Sequence, residues 1–125
     1  MNMHPVYQAA LPSAALRAIG TYLSPEFDNS HGFRGALAII DFTVRTGTAT
    51  LTVTIEGYDY VSGKWYTLIA STALAAVATT QLLTYPGATV VANQVGQWPL
   101  PSKFRVKAVV AADTATFSIG LETVN

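Results

Sequence analysis

One stretch of the chain indicates the fold class, and it reads Thr48-Ala49-Thr50-Leu51-Thr52-Val53-Thr54-Ile55-Glu56-Gly57. Apolar side chains stand at every second position, at Leu51, Val53 and Ile55, and polar ones stand between them. A β-strand places successive side chains on opposite faces of its sheet, so this alternation predicts a strand with one face in a core. The other face is then wetted or covered by a partner.

Strand patterns continue on both sides of this stretch. Residues 35–44 are almost continuously apolar, which predicts a more buried strand, and the short turn at 45–48 predicts a hairpin between the two. Gly47 can take the positive φ that a tight connection often demands. Ser62-Gly63 is a second turn signal and predicts a second hairpin. Further strands are predicted at residues 17–24, 75–84, 103–111 and 115–124.

This succession of about seven or eight short strands at hairpin spacing predicts an all-β fold. We expect an antiparallel β-sandwich of jelly-roll or immunoglobulin-like type. Residues 1–15 are expected to form an N-terminal arm, and residues 16–125 a single β-sandwich domain. Residues 85–102 are rich in Pro and Gly, which predicts a long loop that packs against a neighbour.

The composition favours a protein that packs against other proteins. Half of the 125 residues are hydrophobic and only 11% are charged, against roughly a quarter in an average domain. Seven Lys and Arg balance seven Asp and Glu, which argues against the broadly basic surface that nucleic acid or an anionic membrane would require. We therefore expect a homo-oligomer or a permanent protein partner, with neither nucleic acid nor membrane as a partner.

The absence of cysteine and the sequence of the N-terminus restrict which sites and signals the protein can have. The chain has no cysteine, which excludes disulfides and Cys-ligated metals. The N-terminus lacks a basic region followed by an apolar one, so we expect no secretory signal and synthesis in a cytoplasm. The longest weakly polar stretch, residues 68–83, is interrupted by polar residues and is too short for a membrane-spanning helix.

Catalytic patterns are weak throughout. No serine lies in a G-x-S-x-G motif, and the only histidines are His4, in the expected arm, and His31, in a loop. A solvated turn explains Asp28 beside His31 better than a metal or acid–base pair does. Glu56 and Asp59 could flank a glycosidic bond, but strand-end solvation and turn capping explain them better. We predict no enzyme, no cofactor and no metal site, although a lone carbonyl-rich cation site near Asp59 stays open.

Basic and aromatic side chains are the candidate binding residues. Lys103, Arg105 and Lys107 alternate with apolar residues, so they share one strand face. That face is either a solvated surface protected from edge pairing by its lysines or a docking face for an acidic patch. Aromatic residues near the second hairpin fit core packing, a protein interface or stacking on sugar rings. The residues expected at a protein interface are Tyr7, Leu11, Tyr85, Pro86, Trp98, Pro99, Lys103, Arg105 and Lys107.

Residues 30 to 121 resemble small virion proteins of tailed bacteriophages. The motifs that carry the resemblance are Gly35-x-Leu37-x-Ile39-Ile40-Asp41-Phe42-Thr43-Val44, Leu51-Thr52-Val53-Thr54-Ile55-Glu56-Gly57-Tyr58-Asp59, Ser62-Gly63-Lys64-Trp65-Tyr66-Thr67-Leu68, Tyr85-Pro86-Gly87, Ala92-Asn93, Pro99-Leu100-Pro101-Ser102-Lys103-Phe104-Arg105-Val106-Lys107 and Phe117-Ser118-Ile119-Gly120. The resemblance implies a structural part of the virion that is made in the cytoplasm of a bacterial host. It implies a decoration or cement protein whose partner is the major capsid protein or another virion subunit.

Two alternative functions stay open from the sequence. One is a tail, connector or spike component of the same particle. The other is a carbohydrate-binding β-sandwich module whose exposed aromatic side chains stack on a host-surface glycan.

Overall fold

The computed structural model describes residues 7–14 and 16–125, without the side chains of residues 7–9. This part of the chain is all-β and contains no helix. Its strands are β1 (Tyr7–Leu11), β2 (Gly20–Leu23), β3 (Phe27–Asp28), β4 (Gly35–Arg45), β5 (Thr50–Asp59), β6 (Lys64–Ala70), β7 (Ala78–Thr84), β8 (Val95–Gly96), β9 (Lys103–Ala111) and β10 (Ala115–Val124).

The strands form two sheets that pack face to face. Sheet A has the order β1-β10-β4-β7-β8, and sheet B has the order β2-β9-β5-β6, with β3 also paired to β9. All pairings are antiparallel except the short parallel pairing of β8 with β7. The predicted β-sandwich is therefore confirmed.

The core lies between the two sheets and is built by the predicted alternation. Leu51, Val53 and Ile55 of β5 are fully buried. β9 and β10 alternate between buried and partly exposed positions along their whole length, as expected for strands with one face on a core. The largest side chains sealed in this core are Phe42, Phe104, Phe117, Ile40, Leu51, Ile55, Leu82 and Ile119.

The prediction that β4 and β5 form a hairpin is wrong. β4 pairs with β10 and β7 in sheet A, whereas β5 pairs with β9 and β6 in sheet B, so the turn between them crosses from one sheet to the other. Both strands present an apolar face to the core, and in a sandwich such faces oppose each other across the interior. Gly47 of this turn does take a positive φ, of 50°.

The turn between β9 and β10 also crosses between the sheets, and it is joined to the β4–β5 turn. The hydroxyl Oγ1 of Thr46 donates to the Asp113 carboxylate at 2.8 Å, and the amide of Thr46 donates to the carbonyl of Thr114 at 3.2 Å. The two crossings therefore brace each other at one end of the sandwich.

The second predicted hairpin is confirmed, with Asp59 opposite Lys64 and residues 60–63 at its tip.

Two strands are shorter than predicted: residues 17–24 form only Gly20–Leu23, and residues 75–84 form only Ala78–Thr84. Within the expected arm, residues 7–11 form β1 at the edge of sheet A, and residues 1–6 and 15 lie outside the described part. The expected loop 85–102 includes β8, which pairs with β7.

Candidate protein-interaction surfaces

The outer face of sheet B carries the predicted basic stripe. Lys103, Arg105 and Lys107 of β9 lie on this face and are partly exposed, while the alternate residues Phe104 and Val106 are buried in the core. The prediction that the three cations share one face is confirmed.

Each cation of the stripe has an acidic partner within the chain. Arg105 Nε donates to Glu56 Oε1 at 2.9 Å, and Lys107 Nζ lies 3.4 Å from Glu56 Oε2. Lys103 Nζ lies 2.7 Å from the carboxylate of Glu26, and this hydrogen bond raises the pKa of Lys103. The charges that could have met an acidic patch on a partner are therefore largely matched inside the molecule.

The aromatic cluster of the second hairpin stacks on these same cations. The guanidinium of Arg105 lies 3.9 Å from the centre of the Trp65 ring, and Lys103 Nζ lies 4.6 Å from the centre of the Tyr58 ring. The Tyr58 and Trp65 rings are 5.0 Å apart. Cation–π contacts and the ion pairs to Glu56 thus fix the rings and the cations in one ordered layer.

Glu56 and Asp59, the two carboxylates closest to a catalytic pair in the sequence, have separate roles. Glu56 is 5% exposed and holds Arg105 and Lys107 through its two oxygens. Asp59 caps the hairpin tip, because its oxygens accept from the Val61 amide at 3.0 Å and the Ser62 hydroxyl at 2.7 Å. The Ser62 and Val61 hydrogen bonds lower the pKa of Asp59. Turn capping, as predicted, accounts for Asp59, whereas the predicted strand-end solvation is wrong for Glu56, which is buried between two cations.

A groove beside β6 brings together two exposed aromatic rings. It encloses about 480 Å³ and is lined by Tyr66, Thr67, Leu68, Trp98 and Pro99. Trp98 is 55% exposed and Tyr66 is 42% exposed, so both rings present apolar surface to solvent. We call this feature the Trp98 groove.

The walls of the Trp98 groove are held by the backbone around them. The hydroxyl of Thr84 donates to the carbonyl of Trp98 at 2.7 Å. Two residues further along the chain, the Leu100 amide donates to the carbonyl of Arg34 at 3.0 Å. On the opposite wall, the Tyr66 ring covers Gly57 so closely that a Cβ there would lie 2.6 Å from Tyr66 Cζ. The groove is therefore a preformed feature of the fold.

The remaining predicted interface residues lie apart from the Trp98 groove. Tyr85 donates from its hydroxyl to the carbonyl of Asn125 at 2.9 Å, and the neighbouring Pro86 is partly exposed. Leu11 is 7% exposed and belongs to the core. The backbone of Tyr7 lies in β1, and its side chain is outside the described part.

The sequence interpretation missed the role of Asn29. This buried amide donates to the carbonyls of Phe33 at 2.8 Å and Leu100 at 3.3 Å, and it accepts from the Phe33 amide at 2.9 Å. It therefore ties the 28–33 turn to the segment that follows Trp98. The turn residues at positions 28–32 indicated a local turn, but they carried no information about the distant carbonyl of Leu100.

Within the described residues, no three His, Cys, Asp or Glu side chains are grouped closely enough to hold a metal ion. The same residues include no helix long and apolar enough to cross a membrane. No protein-family model matches the chain, and no curated protein matches its sequence.

Proposed function

We propose that the protein is a structural subunit of a tailed-bacteriophage particle, which binds the capsid surface and stabilises the shell by packing against neighbouring subunits. The resemblance of residues 30 to 121 to small virion proteins motivates this proposal. The observation that carries it is the Trp98 groove, where two exposed aromatic rings stand on a rigid β-scaffold.

Such a groove suits protein binding for energetic reasons. Residues that dominate binding energy at protein interfaces are enriched in Trp and Tyr. Fixing the backbone carbonyl of Trp98 before binding reduces the conformational entropy that is lost when a partner arrives. Most of the charges on sheet B are already paired within the chain, so apolar packing at the Trp98 groove is the favoured mode of contact.

Stabilisation of the shell then follows from mass action. A subunit that binds only the assembled lattice favours that lattice, by about 2.7 kcal/mol per site when the free subunit is at 100 times its dissociation constant. No covalent chemistry is needed.

The experiment is a substitution at the centre of the groove. We expect Trp98→Ala to lower the occupancy of the protein on purified particles, because it removes the most exposed aromatic wall of the groove. The matched control is Tyr60→Ala, since Tyr60 is 66% exposed at the hairpin tip, away from the groove. Near-ultraviolet circular dichroism checks that both variants remain folded. Equal occupancy of Trp98→Ala and wild type would remove the groove from the interface.

A tail, connector or spike position is an alternative within the same class of protein. It uses the same groove, and cryo-electron microscopy of intact particles distinguishes it from a capsid position. Density for this fold on the capsid lattice supports the decoration role, and density confined to the tail or connector replaces it.

The exposed rings of Tyr66 and Trp98, which line one groove, also favour a second candidate function, binding of a host-surface glycan. Aromatic rings beside an open groove can stack on the apolar faces of sugars. Titration with a glycan panel, followed by tryptophan fluorescence, tests this function. A saturable change that is lost in Trp98→Ala supports it, and a flat response across the panel contradicts it.

A further inference from the structure

The edge of sheet A formed by β7 is only partly covered. β4 pairs with β7 from Ala78 to Thr84, but on the opposite side β8 pairs only with Leu83 and Thr84. Among the described residues, no strand lies against residues 78–82 on that side. Before Ala78 the chain leaves the sheet, because Leu74 bridges to Leu51 of sheet B. Five residues of the β7 edge, 78–82, are therefore unpaired on this side, and we call this part of the edge the slot.

The hydrogen bonds of the neighbouring residues Leu83 and Tyr85 show in which direction the backbone groups of the slot point. The amides of Leu83 and Tyr85 point away from β4, since they donate to the carbonyls of Gln94 at 2.9 Å and Gly96 at 3.1 Å. Backbone groups alternate in direction along a strand. The N–H and C=O groups of Thr79 and Gln81 therefore point into the open slot, ready to pair with another strand.

Residues 78–82 lack the sequence features that usually prevent edge pairing. Natural edge strands carry lysines, prolines or bulges. The sequence Ala78-Thr79-Thr80-Gln81-Leu82 contains none of these, and its register against β4 is continuous. By contrast, β1 has a register shift between Ala9 and Leu11.

The walls of the slot are uncharged. A cavity of about 520 Å³ lies along it, open to solvent and lined by apolar side chains, hydroxyls and amides. A neutral strand can therefore enter without burying a charge. The lining residues are Ser71, Thr72, Leu74, Thr79, Thr80, Gln81, Ala92, Asn93 and Gln94.

We propose that this slot binds a second copy of the chain, with the two β7 strands antiparallel about a twofold axis through Thr80. In this register Thr79 lies opposite Gln81 of the partner subunit, and each such pair exchanges two backbone hydrogen bonds. Thr80 lies opposite the partner's Thr80 as a non-hydrogen-bonded pair, and Thr–Thr pairs stabilise antiparallel sheets.

A second copy fits the slot because its own β7 strand, Ala78-Thr79-Thr80-Gln81-Leu82, is uncharged like the slot walls and pairs with the same edge. The groups that face outward, on Thr79 and Gln81, are placed symmetrically about Thr80, so the same edge satisfies itself. The formal net charge of zero adds no overall repulsion between copies. The proposal does not depend on the role in a phage particle and can be tested on the purified protein.

Disulfide trapping tests the register, because the chain has no cysteine of its own. In a Thr80→Cys variant the two Cα atoms would be about 4.5 Å apart, inside the range of about 4.4–6.8 Å that a disulfide spans. In the control Thr79→Cys, each thiol would face Gln81 of the partner instead. We expect a covalent dimer under mild oxidation for Thr80→Cys only. Equal crosslinking of both variants, or none in either, would overturn the proposed register.

A charge exchange tests the pairing itself. Thr79→Glu/Gln81→Glu places like charges opposite each other, near Asp41, whereas Thr79→Lys/Gln81→Glu places opposite charges there. Light scattering after gel filtration should give twice the 13.3 kDa chain mass for wild type and for the Lys/Glu variant, and the single mass for the Glu/Glu variant. Circular dichroism confirms that all three are folded. A monomeric wild type, or a dimeric Glu/Glu variant, contradicts the proposal.

Discussion

Glu56 is the residue at which burial and charge conflict most directly. Its carboxylate is 5% exposed and is compensated by Arg105 and Lys107, which belong to the neighbouring strand β9. Taking a carboxylate out of water is costly unless cations and hydrogen bonds compensate it. The Trp65 ring on the outer side of Arg105 further holds the guanidinium in place. The ordered layer on sheet B therefore depends on this one carboxylate.

We expect Glu56→Gln to destabilise the fold by about 2 kcal/mol. Breaking a fully buried ion pair costs about 3–5 kcal/mol, and the cost is smaller here because both cations can still reach water. Urea unfolding measures the change. The control is Glu26→Gln, whose ion pair with Lys103 is more exposed, so this substitution should change the unfolding free energy much less. Equal effects of the two substitutions would show that the burial of Glu56 has no energetic consequence.

Two aspartates with lowered pKa values should make the unfolding free energy depend on pH. The Thr46 hydroxyl and the Thr114 amide donate to Asp113 and lower its pKa below the ordinary 3.8, and the Ser62 and Val61 groups do the same for Asp59. A carboxyl with a lower pKa in the folded state stabilises the fold above its ordinary pKa. This stabilisation is lost as the pH falls through the folded value, so we expect unfolding to become easier below pH 3.8.

The acid sensitivity should decrease in the double variant Asp59→Asn/Asp113→Asn. Urea unfolding at a series of pH values from neutral to acidic gives the slope of the unfolding free energy for both proteins. The hairpin tip and the turn crossing contribute separately, so each single variant should remove part of the slope. A slope unchanged in the double variant would contradict the assignment.

At the scale of strands, the sequence predicts where a strand lies and which face is buried, but it does not predict which distant strands pair. The alternation of Leu51, Val53 and Ile55 predicted both the strand and its buried face, because side-chain direction depends only on neighbouring positions. The choice of sheet was not predictable in this way. The turn after β4 is held by bonds from Thr46 to residues 67 and 68 positions away in the chain.

On the candidate surfaces, too, features set by one strand were predictable and contacts between distant residues were not. The shared face of Lys103 and Arg105 was predicted because it needs only the period of one strand. The contact of Arg105 with Glu56 was not predicted, since it depends on the register between β9 and β5 and joins residues 49 positions apart. Trp98 was predicted to lie in an interaction loop, but its neighbour Tyr66 comes from β6 and could not be assigned to the same groove.

Gly57 connects strand packing to the Trp98 groove. A Cβ at this position would lie 2.6 Å from Tyr66 Cζ and 2.7 Å from Pro101 Cγ, so Gly57→Ala must displace the Tyr66 ring. We expect a loss of about 1–3 kcal/mol in unfolding free energy, as for other overpacked sites. Tyr66 also forms one wall of the groove, so the fluorescence of the nearby Trp98 should change as well.

The control for this substitution is Gly120→Ala. Gly120 also lies in a strand, but a Cβ there would meet nothing within 4 Å. The change should therefore leave stability the same or raise it slightly, because alanine restricts the unfolded chain. If both alanine variants behaved alike, the close approach of Tyr66 to Gly57 would have no energetic weight.

At the scale of the whole molecule, both proposed contacts lie on one side of the sandwich. Residues 92–94, just before β8, line the open slot of β7, and Trp98 and Pro99, just after β8, line the Trp98 groove. A dimer formed through β7 would therefore carry two Trp98 grooves, one near each end of the shared pair of strands. In such a dimer, the proposed self-association and the proposed binding to a particle would be linked through geometry.

This linkage makes a prediction that needs both proposals. A dimer with two grooves on a repeating lattice binds its second site at a high effective concentration, so its apparent affinity exceeds that of a monomer. We expect the Thr79→Glu/Gln81→Glu variant to need at least about tenfold more protein for half occupancy of particles, although its groove is unchanged. The Thr79→Lys/Gln81→Glu variant, which retains pairing, should bind like wild type. If the two variants gave the same binding curve, the two grooves would act independently and dimerisation would have another role.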